Sequence, residues 1–291
     1  MKAKLLFLQA LSPLHAGTGQ GVGAIDLPVA REKTTGIPIV PGSTLKGVLR
    51  TNCEDDDLKI RVFGPETENA SDHAGSAQFS DLRLLFLPVR SLAGTFAWVT
   101  SPLLLRRFQR DCVMANTPFP AEIPSESDKD KCLVPLSDSK LKMTIEEQEN
   151  QIVLEDLRLT GEPDTSLNDL VNWLKVFLFG VETSWQTLFA ERVCVVHDDV
   201  LSFLLDTATE ITARIRLEEE KKTVAQGALW YEEALPAESI LSGLMVIQEI
   251  RASESSEKDV LSAITKLTQT PLQVGGSATV GRGLCRIRLV S

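Results

Sequence analysis

A chain of 291 residues with 43% hydrophobic content is long enough to bury a full core, as one large domain or two small ones. Its 30 basic residues are outnumbered by 40 acidic ones, and the net charge of −10 excludes a uniformly basic nucleic-acid binder while leaving room for a local basic stripe. No run approaches the ~18 apolar residues of a membrane helix, and the apolar run within Met1 to Gln9 is too short for a signal peptide, so the expected localisation is cytoplasmic.

Lys4 to Leu11 reads as a first strand, short, apolar and ended by Ser12-Pro13. A glycine-rich loop from Gly17 to Gly23 follows. Leu45, Val48 and Leu49 then fall at helical spacing after Pro41-Gly42-Ser43, which predicts a helix to about Asn52 with Ser43 as its N-cap. The runs Glu54 to Asp57, Glu146-Glu147 and Glu218 to Glu220 read as solvated acidic faces. Phe79 to Val89 and Phe96 to Val99 are strand candidates, and Ser101-Pro102 makes a cap and first-turn pair for a helix through Arg110.

Residues 113 to 165 carry prolines, acids and lysines with little periodicity, so an insertion that is partly loop is expected there. Leu167 to Leu178 gives one apolar helical face, and Val200 to Leu205 belongs to a shorter helix. Ile211 to Leu217 alternates as a strand, Glu218 to Lys222 forms a charged tip, and Val224 to Tyr231 returns, which predicts a projecting hairpin. Ile240 to Ile250 is a further strand, Lys258 to Leu267 a helix, and Leu284 to Val290 a last strand with Arg286 and Arg288 pointing outward. The first and last portions thus read β-α-β and β-α-β, the order of a ferredoxin-like sheet, in one elaborated α+β domain. The cysteines at 53, 112, 132, 194 and 285 are scattered and form no C-x-x-C pair, so neither a disulfide framework nor a zinc site is indicated.

Three segments carry candidate chemistry. In Ser12 to Pro28 the alternating Gly17, Gly19, Gly21 and Gly23 would let backbone amides approach a phosphate, although a merely flexible loop has the same signature. Gly19-x-Gly21-x-x-Ala24 formally matches a dinucleotide fingerprint, but Pro28 would sit inside the required helix, and the absence of Gly-Lys-Ser/Thr excludes a P-loop. In the second segment, Pro38 to Arg50, Lys46 and Arg50 share a helix face beside a helix N-terminus, which suits a phosphate or simply a solvated basic face. Gly47 costs that helix roughly 1 kcal/mol against alanine, which is easiest to understand if something packs closely on it. The third segment, Gly275 to Gly283, is a glycine turn running into a strand, where Gly276, Gly281 and Arg282 would complete a groove for a polyanion or form a structural tight turn.

Together these stretches, with Phe79 to Pro102 and with Thr212-Ala213-Arg214-Ile215-Arg216 and Gly227 to Glu233, resemble the RAMP superfamily of CRISPR proteins, and within it the backbone subunits of type III-B (Cmr) effectors. The resemblance runs nearly full length and is weakest over residues 113 to 165. It implies an RRM-like palm, finger insertions and a β-hairpin thumb at about Thr207 to Gly227, with copies associating as a helical filament on a guide RNA beside other Cmr subunits. It further implies cleavage of the single-stranded target RNA with a divalent metal, magnesium or manganese, at Asp26. The matching RNA-binding positions are Gly17, Gly19, Ser43, Lys46, Arg50, Gly276, Gly281 and Arg282, with Lys221 and Lys222 at the thumb tip.

That chemistry is plausible in physical terms, because cleavage needs a 2′-hydroxyl held in line with the departing 5′-oxygen, and splaying the strand does much of that positioning. One carboxylate is a thin metal site, so water and phosphate oxygens would have to complete the shell. His15 is a candidate acid or base, and Tyr231 and Glu233 are weaker candidates. A scaffold that binds guide RNA without cutting, and a free-standing nucleotide-binding enzyme, are the alternatives.

Overall fold

Leu5 and Phe7 of the first strand pack into one hydrophobic cluster and Leu6, Leu8 and Ala10 into another, so this strand is buried on both faces. That is why it reads as a continuous apolar run. The computed structural model describes residues 2–17, 19, 21, 24–65, 74–120, 122–125, 128–135, 138–217, 224–248 and 256–290.

The chain opens with β1 (Lys2–Ala10), β2 (Ile39–Val40), α1 (Gly42–Thr51), α2 (Asp56–Phe63), β3 (Ala77–Phe79), β4 (Leu82–Arg90), β5 (Phe96–Thr100) and α3 (Pro102–Met114). It continues through β6 (Lys131–Val134), β7 (Met143–Ile145), β8 (Gln148–Leu154), β9 (Leu157–Pro163), α4 (Thr165–Phe179), α5 (Thr183–Arg192), β10 (Val193–Val196) and α6 (Asp198–Thr207). The last part holds β11 (Glu210–Leu217), β12 (Val224–Ala234), β13 (Ile240–Ile247), α7 (Glu257–Leu267), β14 (Leu272–Gln273) and β15 (Leu284–Leu289).

In space the order β15-β1-β13-β4 is antiparallel throughout, with α1 and α2 between β1 and β4 and α7 between β13 and β15. This is the ferredoxin-like palm that the strand and helix order predicts. Leu45 and Leu49 of α1 and Val260 and Ile264 of α7 cover one face. Leu105 and Phe108 of α3, Leu170 and Leu174 of α4 and Phe189 of α5 cover the other, around Trp98. An RRM stacks bases on its open sheet face; here that face is sealed by α3, α4 and α5.

The sheet continues past β4 as β5-β10-β6-β9-β8-β7. Residues 113 to 165, expected as partly loop, therefore contribute four strands. Their turns use Glu146, Glu147 and Glu155 in left-handed backbone (φ 49°, 66° and 49°), not the Asn-Gly or Asp-Gly pairs that mark hairpins in a sequence. The acidic run at 54 to 57 is a helix start: Asp55 accepts the Leu58 amide at 3.0 Å, and Asp56 and Asp57 sit in the positive first turn of α2. Helix α5 escapes a periodicity reading because only Phe189 is fully buried on it.

Other expectations are corrected by their surroundings. Ser43 is not the N-cap of α1; Pro41 holds that position, and the Asp81 carboxylate accepts the Gly42 amide at 2.8 Å instead. Arg286 and Arg288 do not point freely outward, since both reach Glu182, at 3.0 and 3.6 Å. Gly47 is exposed, and a Cβ there would meet nothing within 4 Å. All five cysteines are buried free thiols, and burial pushes Cys112 and Cys285 up to about 12. No helix among the described residues is long and apolar enough to cross a membrane.

Among the described residues β11 and β12 form their own two-stranded sheet, a hairpin standing off the main sheet. Its face carries Ile211, Ile215, Leu229 and Tyr231, all exposed, with Ile215 opposite Leu229 and Ala213 opposite Tyr231. Lys221 and Lys222 lie outside the described residues.

Candidate nucleic-acid interface

The loop after β1 is stitched to the base of the hairpin. Leu14 bridges Leu235, the Leu27 amide donates to the Tyr231 carbonyl at 3.0 Å, and the Glu233 amide donates to the Leu27 carbonyl at 2.9 Å. Asp26 ends up at the edge of β12, exposed, with its Oδ2 accepting the Tyr231 amide at 2.8 Å. Its Oδ1 has no partner among the described residues. A carboxylate held by one oxygen and open at the other suits contact with a ligand outside the chain.

His15 is buried where two glycine segments meet. Its Nδ1–H donates to the Glu233 carbonyl at 2.7 Å, a tautomer set by the carbonyl partner, which leaves Nε2 as the free ring nitrogen. Its own carbonyl accepts the Gly276 amide at 2.9 Å, and the Gly283 amide reaches Pro13 O at 2.8 Å, so the third glycine segment does lie against the first. Gly17 is required by this packing, since a Cβ there would fall 2.7 Å from His15 Nε2. Gly275, at φ +77°, would place a Cβ 2.2 Å from the His15 carbonyl oxygen. Gly19 and Gly281 face open space, where a backbone could be approached closely.

Arg282, expected to offer charge to the groove, is only 6% exposed and engaged within the protein. Its Nε lies 2.6 Å from Glu232 Oε1, in ion-pair contact without the alignment of a hydrogen bond, and its Nη2 donates to Thr212 Oγ1 at 3.0 Å. On the opposite face of β12, Glu233 accepts Arg31 at 2.6 Å and the Val29 amide at 2.9 Å. Glu233 thus organises the loop and is sealed away from solvent.

On α1, Ser43 and Lys46 line a cleft of about 420 Å³ with Gly64, Gly75, Gln78 and Phe79. Ser43 is exposed and Lys46 half-buried. Arg50 shares the helix face but donates to the Gly64 carbonyl, so part of its guanidinium is committed to holding α2. The positive end of α1 is likewise partly answered by Asp81, which leaves Lys46 as the stronger candidate for a phosphate.

Sequence comparison matches a RAMP superfamily profile to residues 7–286. This chain belongs to the RAMP superfamily. A RAMP relative, the CRISPR system Cmr endoribonuclease Cmr4 of Pyrococcus furiosus, is 35% identical over 99% of this chain and 96% of its own length. The crystal structure of oligomeric Cmr4 from Pyrococcus furiosus superposes with a TM-score of 0.75 at 28% identity, covering 100% of this chain and 99% of that one. A subunit of the type III-B Cmr-beta complex bound to cognate target RNA shares the fold (TM-score 0.74, 19% identity, 99% and 97% covered).

In this RAMP chain no three His, Cys, Asp or Glu side chains among the described residues converge as metal ligands. The single open oxygen of Asp26 does not by itself make a resident metal site. Sequence reasoning also missed Arg31, Glu232 and Asp81. Each acts on a partner brought close only by folding, as with Arg31 and Glu233, 202 positions apart.

Proposed function

We propose that the chain is the backbone subunit of a type III-B CRISPR effector, which binds guide RNA and cuts the paired target RNA at regular intervals. Copies would associate along the guide as a filament with the other Cmr subunits. The observation that carries this reading is the placement of Asp26 at the root of a projecting hairpin with an uncovered apolar face. A nucleotide splayed by that hairpin would pass the open Oδ1 of Asp26. The first loop, the 275–283 turn and Lys46 supply amides and charge for phosphates.

In the cleavage step a target 2′-hydroxyl attacks the adjacent phosphorus as the 5′-oxygen departs in line. The hairpin fixes that alignment, and the Asp26 carboxylate accepts or orients the hydroxyl proton. The departing 5′-oxygen would take its proton from water, and His15, whose Nε2 carries no hydrogen in this tautomer, would accept a hydrogen bond from the RNA. Magnesium or manganese would be held by Asp26 only together with RNA phosphate oxygens and water, and would supply stabilisation of charge on the phosphate. The test is an Asp26→Ala chain assembled with guide RNA and the sister subunits: guide binding should persist while cleavage stops at every interval. Unchanged cleavage would return the chain to a binding-only scaffold.

A further inference from the structure

Glu232 and Glu233 are consecutive on β12, 4% and 2% exposed, and each meets an arginine from a different loop. Buried carboxylates persist only when paired. The Glu233 pair closes the loop that bears Asp26. The Glu232 pair does something else, because its arginine belongs to the glycine turn.

We infer that Arg282 and Glu232 are positioning residues for cleavage, locking the hairpin, and Asp26 with it, to the turn at 275–283. This rests on the reading of Asp26 as the cutting carboxylate. From the turn, the Arg282 guanidinium reaches Glu232 on β12, Thr212 Oγ1 on β11 and Glu210 on β11 at 3.6 Å. Ser277 Oγ adds a bond to Glu232 Oε2 at 3.3 Å. The turn is itself anchored to the first loop through the Gly276 and Gly283 amides. Glu232 directly follows Tyr231, whose amide holds Asp26.

Both hairpin strands are therefore gripped by one side chain at their base. Rotation of the hairpin would break these contacts and carry Asp26 away from its place. A displacement of about 1 Å at a reacting centre costs on the order of 10²-fold in rate, whereas affinity for a long RNA is spread over many phosphate contacts. Loss of the pair should appear in rate and not in binding. A lysine would keep the charge but not the fork that spans both strands.

The experiment compares wild type, Arg282→Met, Arg282→Lys and Asp26→Ala, each assembled with guide RNA and the other subunits. Guide and target affinities are measured alongside single-turnover cleavage. We expect Arg282→Met to cleave about 10- to 100-fold more slowly with affinities within about twofold of wild type, and Arg282→Lys to fall between. Affinity falling in step with rate would show that Arg282 contacts RNA and would overturn the inference, as would wild-type rates in both variants. If Arg282→Met fails to assemble, Arg282→Lys decides by the same two readings. An Asp26→Ala complex that still cuts would remove the underlying assignment, and that failure is visible independently of Arg282.

Discussion

The Asp26 carboxylate accepts its hydrogen bond from the backbone amide of Tyr231, 205 residues further along the chain. The bond ties a loop acid to the base of the hairpin, so the two move as one piece. Because the donor is a backbone amide, an asparagine at position 26 keeps an acceptor for it. Asp26→Asn should leave stability within about 0.5 kcal/mol of wild type and abolish target cleavage. Thermal melting and a cleavage assay on the assembled complex check the two halves; loss of folding would mean that the charge itself holds the loop.

Gly275 meets two constraints at once, a positive φ and the His15 carbonyl. Gly275→Ala should destabilise the chain by about 1–3 kcal/mol and separate the two glycine segments. Denaturant unfolding measures the first effect. A variant as stable as wild type would show that the turn relaxes without cost.

Gly47 presents the opposite case, an exposed helix glycine where an added Cβ would meet nothing within 4 Å among the described residues. Gly47→Ala should stabilise the isolated chain by roughly 1 kcal/mol. If the Lys46 face packs on guide RNA, the same methyl should weaken guide binding in a filter or mobility assay. Gain in stability without loss of affinity would move the guide to another face.

Burial raises the Glu238 carboxyl above its ordinary value, although a 2.6 Å bond from Gln9 Nε2 works against this. The folded chain then holds that proton more tightly than the unfolded chain, so this group's stabilisation is present below about pH 4.5 and is lost as pH rises through the folded value. Glu238→Gln should therefore flatten the decline in stability as pH rises above about 4.5. Parallel unfolding curves for wild type and variant across that range would refute it. Glu32, lowered by its bonds to Thr35 and Arg107 against the opposing effect of burial, acts in the reverse sense and below that window.

Parts of the palm and of the hairpin were legible before folding, because Leu45, Val48 and Leu49 repeat at helical spacing and Ile211 to Leu217 alternates as a strand does. Both patterns are local, so no knowledge of the distant chain is needed to read them. The strands β6 to β9 were not legible, since glutamates take the left-handed turn positions usually held by glycine or asparagine. The Asp55 cap was hidden inside an acidic run that looked merely solvated.

For the site, the sequence by itself determined which residue types were on hand: glycines at two turns, a basic pair on α1, and Asp26 beside a histidine-bearing loop. Only the tertiary structure decided their duties. It buried Arg282 against Glu232, turned Arg50 toward Gly64, and set His15 between two glycine segments, because a charge or a ring is free for RNA only if nothing nearer satisfies it. Nearness between residues 200 positions apart belongs to the fold, and so Asp26 became a fixed carboxylate when β12 closed beside it.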